Sequence, residues 1–163
     1  MTINTKKVAG RRDLHYSTLQ DVLADAQELA AAGSVQTLGN WTPAQVFEHL
    51  AKAFEMSLDG ATFQAPLPLR WVAQTFLKKN LLTKGVPSGF KANGQVMPGD
   101  VPTEEGLAHL EDAVGRYLLE PQRAKHPLLG NLSQEEWTQF HLRHCEMHMS
   151  FLKIGVGEPS EVS

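Results

Sequence analysis

One cysteine, Cys145, occurs in 163 residues, so no disulfide can form within the chain. A reduced, cytoplasmic setting is the expectation. Positive charge is also scarce: 15 Lys and Arg against 18 Asp and Glu give a net charge of −3. Nucleic-acid-binding surfaces are strongly basic, so no nucleic-acid partner is expected. No stretch approaches the ~20 apolar residues that span a bilayer. The charges of the opening MTINTKKVAGRRDLHY are not followed by an apolar run, so a signal peptide and a membrane partner are not expected. No strand-period alternation of any length, internal repeat, CxxC pair, Gly-rich phosphate loop or Ser-His-Asp triad can be read. What remains is a soluble chain of a length suited to a single domain. We take that domain as residues 1–163, with a core over 17–155 and a tail from Gly157 that frays.

Helix signals, in contrast, are plentiful. Ser17-Thr18-Leu19-Gln20 reads as a capping box, in which the serine oxygen takes a free backbone N–H and Gln20 reaches back. Leu19, Val22, Leu23, Ala26 and Leu29 form one apolar face behind it, ending at Gly33. Thr42-Pro43-Ala44-Gln45 repeats the box, with Pro43 where a missing N–H costs nothing. Trp41 and Val46 are spaced as its hydrophobic staple, and the helix should stop at Gly60. A third helix is expected over Glu104–Glu120 on the seam Leu107, Leu110, Val114 and Tyr117, weakened by Gly106 and Gly115. Ser133-Gln134-Glu135-Glu136 opens the last, with Leu132 and Trp137 as staple and an end at Ile154-Gly155. Leu69–Leu82 predicts a shorter additional helix with a lysine-rich end. The Gly- and Pro-punctuated stretch from Gly85 to Pro102 is a long connection of the kind that is functional or mobile. The fold class is therefore all-α: a four-helix bundle with a short extra helix and one long crossover loop.

Three of the chain's seven histidines, His141, His144 and His148, fall within eight residues of the last helix. A single pair at i,i+4 is expected by chance roughly 0.3 times at this composition, so spacing alone says little. Position says more. Trp137, Phe140, His144, Met147, Phe151 and Ile154 follow alternating steps of three and four, and every member except His144 is bulky and apolar. An imidazole in a leucine's place must find a partner, because burying it unpaired costs on the order of 1–3 kcal/mol. His148 lies one turn further and about 40° around the helix, near enough to share an ion with His144. On the second helix His49 sits among Val46, Leu50 and Ala53, at the edge of the inward face. Two facing helices that each bring histidine to the core are how bundle metal sites are built. Three imidazoles and an open position suit zinc or nickel, or iron.

The stretches NWTPAQVFEHLAKAFE and RHCEMHMSFL together resemble the DinB-like superfamily of YfiT-type bundles. The resemblance runs from about Ser17 to Ile154 and rests on about six diagnostic positions. It implies an up-down-down-up bundle in which Trp41 opens the second helix and His49, His144 and His148 hold a divalent metal. His141 matches no ligand of that family and becomes a candidate neighbour that orients the ligands. Members of the superfamily include metal-dependent hydrolases and thiol transferases. This chain differs in carrying Met149-Ser150-Phe151 after the last histidine, where Arg-Gly-Gln is frequent, and so looks most similar to an uncharacterised branch.

Other residues carry less. Glu48 precedes His49 and is the weak candidate for a catalytic base, although one helical step of ~100° should turn it to solvent. Cys145 projects off the ligand stripe, as a buried bystander thiol. His15, His109 and His126 lack partners at useful spacing and are expected at the surface. The lysines Lys78, Lys79 and Lys84 suit a helix C-terminus. The first functional expectation is a metal-dependent enzyme whose ion activates water or a thiol for attack on a small electrophilic substrate. The alternatives are a small-ligand-binding module and a structural homodimer whose core histidines are internally satisfied.

Overall fold

The fold was analysed in a computed structural model, which describes residues 2–89, 92 and 94–155. The tail expected to fray lies outside these residues. Three of the long helices start on reciprocal caps. In α1 (Leu19–Ala31) the Thr18 hydroxyl accepts from the Asp21 N–H, and the Asp21 carboxylate accepts from the N–H groups of both Thr18 and Ser17. This places the cap one residue later than the Ser17/Gln20 pair. A carboxylate can serve two free N–H groups at the positive end of the helix dipole, and a neutral amide does this less well. The boxes Thr42/Gln45 on α2 (Pro43–Asp59) and Ser133/Glu136 on α6 (Gln134–Met149) form as read. Gly60 ends α2 with φ +98°, a conformation in which a Cβ would be strained.

These helices and α5 (Thr103–Leu119) share one core. α2 lies along α5 and also touches α6 and α1, while α1 packs on α5 and α6. Phe47, Leu50, Phe54, Leu110, Val114, Tyr117 and Trp137 are its buried centre. Gly106 lets α5 approach α2 closely, since a Cβ there would stand 2.8 Å from the Ala44 carbonyl oxygen. Between α2 and α5 run two short helices, α3 (Leu67–Val72) and α4 (Lys78–Thr83), joined by a wider π turn over Ala73–Leu77. The apolar spacing read in Leu69–Leu82 is helical, yet Leu69, Val72, Phe76 and Leu77 are exposed and Ala73 is buried. Lys78 pairs with Glu136 at 2.7 Å, tying this segment to the start of α6.

The expectation of no strands needs correction. Val35–Thr37 (β1) pairs antiparallel with Leu152–Ile154 (β2), so α6 stops at Met149 rather than at Ile154. The apolar spacing continues through Phe151 and Ile154, and three-residue strands are too short for a period-two pattern to register. What ends the helix lies elsewhere in the chain. The Arg11 and Arg12 guanidinium groups donate to the carbonyls of Met147 and Met149, at 3.0 and 3.1 Å. The Arg12 N–H donates to the Ser150 carbonyl. The last-turn carbonyls thus find donors without another helical turn, from side chains whose charge suits that end of the dipole. Arg12 also forms a two-point ion pair with Asp25 on α1, binding the N-terminal strap to two helices.

The two α5 glycines should respond with opposite signs. A Cβ at Gly115 would meet nothing within 4 Å, so Gly115→Ala should gain about 1 kcal/mol from helix propensity. Gly106→Ala should instead cost about 1–3 kcal/mol, because α2 and α5 must separate. Urea unfolding of the two variants checks this; equal stabilisation by both would mean that the helices do not meet at Ala44.

Candidate metal centre

α2 and α6 face each other where His49 meets His144 and His148. The His49 Nδ1–H donates to the Val96 carbonyl at 2.7 Å, from a short turn (Gly94–Val96) of the connection between α4 and α5. That bond fixes the tautomer, leaving a lone pair on His49 Nε2. His49 Nε2 lies 3.4 Å from His144 Nε2, which lies 3.1 Å from His148 Nε2. One ligand nitrogen from each of the three falls within 4.8 Å of the others. Nitrogens about 2.1 Å from one ion stand about 3.4 Å apart at tetrahedral angles and about 3.0 Å apart at right angles. The His49–His144 and His144–His148 separations lie in that range, and the third pair is within 4.8 Å. Without an ion the cluster is under-bonded: a proton on His144 Nε2 can serve one neighbour at a time, and His144 Nδ1 is buried with no partner among the described residues. The donor set and the spacing therefore fit a divalent cation.

The electrostatics also suit ligands. Burial lowers the pKa of His49, only partly offset by its bond to Val96. His144 and His148 are held well below the ordinary imidazole value, by burial first and then by the neighbouring imidazoles. Both open onto a cavity and retain some accessible surface, but the surrounding protein is dense enough to disfavour a charge. Neutral imidazole is the form that binds metal. Trp41, read as a staple, is also a wall of the site, its ring stacked on His148 and tilted against His49.

The remaining candidates fall elsewhere. His141 is buried between the rings of Phe54 and Trp137, with Tyr117 edge-on, and neither ring nitrogen has a hydrogen-bond partner among the described residues. Cys145 is in the core, and burial pushes its thiol well up, away from thiolate. Glu48 does not face solvent as expected. It is buried toward α5, where it accepts from His109 at 2.6 Å and pairs with Lys52 at 2.8 Å. The ~100° step turns it from the cluster as anticipated, but on α2 that side faces another helix. His109 is accordingly no lone surface residue; its other nitrogen meets Glu55 at 2.9 Å. His15 is exposed, beside Arg143 and Glu146.

His126 is the residue the sequence concealed most completely. Expected at the surface, it is 7% exposed. It lies in the tight loop after α5, paired in both directions with Gly130 and packed edge-on to Phe140. Together with the three-histidine cluster it lines a cavity of about 630 Å³. The cavity wall is largely apolar: Met56, Phe63, Met97, Phe140, Met147 and Phe151 contribute to it. Val86 to Gly89 of the connection between α4 and α5 close another side. Residues 90, 91 and 93 of that connection lie outside the described residues.

The family model described as "Protein of unknown function (DUF1569)" matches residues 8–154. No curated protein and no solved structure matches the chain.

The His109 pairs predict a pH dependence of stability. Burial opposes charge on His109, but its bonds to Glu48 and Glu55 outweigh this and raise its pKa above 6.5. Glu48, also penalised by burial, is held below 4.5 by His109 and Lys52. The His109 contribution is complete below pH 6.5 and is lost as pH rises through its raised folded value. That of Glu48 is present above pH 4.5 and is lost as pH falls through its lowered value. His109→Gln should therefore cost most between pH 4.5 and 6.5, by no more than about 1 kcal/mol for partly exposed pairs. Denaturant midpoints of both proteins across pH 4 to 9 measure the difference, which should narrow at the alkaline end; a cost that grows toward pH 9 contradicts the assignment.

Proposed function

We propose that this chain, which belongs to the DUF1569 family, is a metal-dependent enzyme of DinB-like four-helix-bundle design. His49, His144 and His148 hold one divalent ion, zinc or nickel by preference for an all-nitrogen set, with iron a further candidate. The observation that carries the reading is the convergence of three imidazole nitrogens within 4.8 Å of one another, two of the pairs at 3.1 and 3.4 Å, beside a cavity large enough for a small molecule. The three-histidine count leaves a coordination position open, as in catalytic rather than structural sites. An ion there supplies the acidity that turns water or a thiol into a nucleophile at neutral pH. The chain's own residues do the rest. Val96 fixes the His49 tautomer through its carbonyl, Trp41 holds His148 and His49 in orientation, and the apolar wall excludes water around a bound electrophile. Glu48 is engaged with His109 and Lys52, so we assign it no part in the chemistry.

The same cavity also favours a second reading, a non-catalytic module that binds a small ligand. An exchangeable water on the bound ion, together with turnover, favours the enzyme; an ion closed by a fourth protein ligand favours the module. The third expectation, internally satisfied core histidines, does not fit nitrogens of His141 and His144 that have no partner among the described residues.

Elemental analysis of tag-free protein after exposure to zinc, nickel or ferrous ion should give close to one ion per chain. Alanine at His49, His144 or His148 should each cut affinity by more than ~100-fold, the upper end for residues that only support a ligand, while His141→Ala stays within that limit. Competition from protons should begin below pH 6.5, because burial already holds these imidazoles neutral. A folded protein that takes up none of the three ions would end this reading.

A further inference from the structure

We infer that the cavity is built for an uncharged, largely apolar small molecule whose oxygen acceptor is recognised by His126 through its Nε2–H. The inference deepens the proposed function by naming the ligand class for the same cavity, and it rests on that reading only for which bond reacts. It begins with a tautomer. The backbone N–H groups of Leu128 and Leu129 both donate to His126 Nδ1, at 3.1 and 3.0 Å. A nitrogen accepting two donors carries the lone pair, so the proton of the neutral ring is on Nε2. Burial pushes the pKa of His126 down to about 4, which keeps the ring neutral. Nε2 has no hydrogen bond among the described residues, and the ring lines the cavity. The loop locks the ring: the His126 and Gly130 main chains bond to each other at 2.8 and 2.9 Å. A preorganised donor at the wall of a largely apolar cavity is how pockets fix the orientation of a ligand.

The rest of the wall sets the class. Among the described residues lining the cavity there is no Asp, Glu, Lys or Arg. An anionic or cationic ligand would shed its hydration with no countercharge to meet it, apart from any bound ion. Met56, Met97 and Met147 offer adaptable apolar surface instead. A volume of about 630 Å³ leaves room for on the order of ten to twenty non-hydrogen atoms, taking about 30 Å³ for each water-sized group. The fitting chemistry is a medium-length ketone, ester, amide or lactone, in which the carbonyl oxygen meets His126 and the apolar part fills the cavity.

The test uses the full chain without added metal, so that a carboxylate cannot bind merely as a ligand of the ion, and repeats the ketone titrations with zinc. N-phenyl-1-naphthylamine, neutral and without a carbonyl, serves as the fluorescent occupant to be displaced. The methyl ketones from 2-pentanone to 2-nonanone should displace it with affinity rising about three- to fourfold per methylene, and nonanoate should bind at least tenfold more weakly than 2-nonanone. His126→Asn keeps an acceptor for the two backbone N–H groups and removes the outer donor. It should bind the fluorophore as before and lose about three- to tenfold in ketone affinity. His126→Gln, whose amide can reach the lost position, should recover part of that loss. The His126 ranking should be the same with and without zinc, so failure to bind metal leaves the result readable. Nonanoate as tight as 2-nonanone would overturn the ligand class. Unchanged ketone affinity in His126→Asn would overturn the recognition role, and no binding of fluorophore or ketone would overturn both.

Discussion

A helix buried on several sides must satisfy each of its polar side chains by a specific partner, and α2 is that helix. Eleven of its seventeen residues are buried, among them Glu48, His49 and Ser57. Water cannot repair a missed hydrogen bond there, and an unpaired group costs on the order of 1–3 kcal/mol. Two of them therefore recruit another part of the chain, and the third is satisfied within the helix. Glu48 takes His109 from α5, His49 takes the Val96 carbonyl from the connection between α4 and α5, and Ser57 turns back to the Phe54 carbonyl. Satisfying α2 thus fixes where its neighbours lie.

The candidate site follows from that constraint. Once Val96 occupies His49 Nδ1, the Nε2 edge of the ring points to α6, where two more imidazoles meet it. The register of α6 is held in turn from outside, by the Arg11 and Arg12 side chains on its last carbonyls and by the short sheet beyond. Trp41 just before α2 and Phe140 on α6 complete aromatic contacts to His148 and His144. The three nitrogens are thus placed by three separate devices: a loop carbonyl, a capped helix and aromatic packing. An arrangement held from so many directions is preorganised, and preorganisation separates a binding site from a chance meeting of side chains.

Position in the apolar pattern made His144 legible: the seam of α6 calls for leucine at that place, and an imidazole there needs a reason. His49 was legible as a polar residue at the edge of a buried face. His126 and His109 gave no such signal. The bonds of His109 run to Glu48 and Glu55, residues brought near only by packing. For His126 the partners are local, but the tight loop that supplies them has no periodicity to read. The strand Leu152–Ile154 was hidden for a related reason, since its apolar spacing continues that of the helix before it.

Capping chemistry, apolar periodicity and the glycine at position 60 act over one or two turns, so the sequence by itself determined where α1, α2, α5 and α6 run, to within a residue or two at their starts. It also determined that α2 and α6 each bring histidine to a face that has to be buried. Tertiary structure alone decided which nitrogen of each ring faces the others, because tautomer and orientation depend on partners far along the chain, such as Val96 for His49. It alone decided that the apolar residues of α3 and of the turn after it face outward while Ala73 and Leu82 turn in, since periodicity marks a helix and its stripe but not what lies against it. And it alone closed the cavity, whose wall comes from separate stretches of chain that no local rule relates.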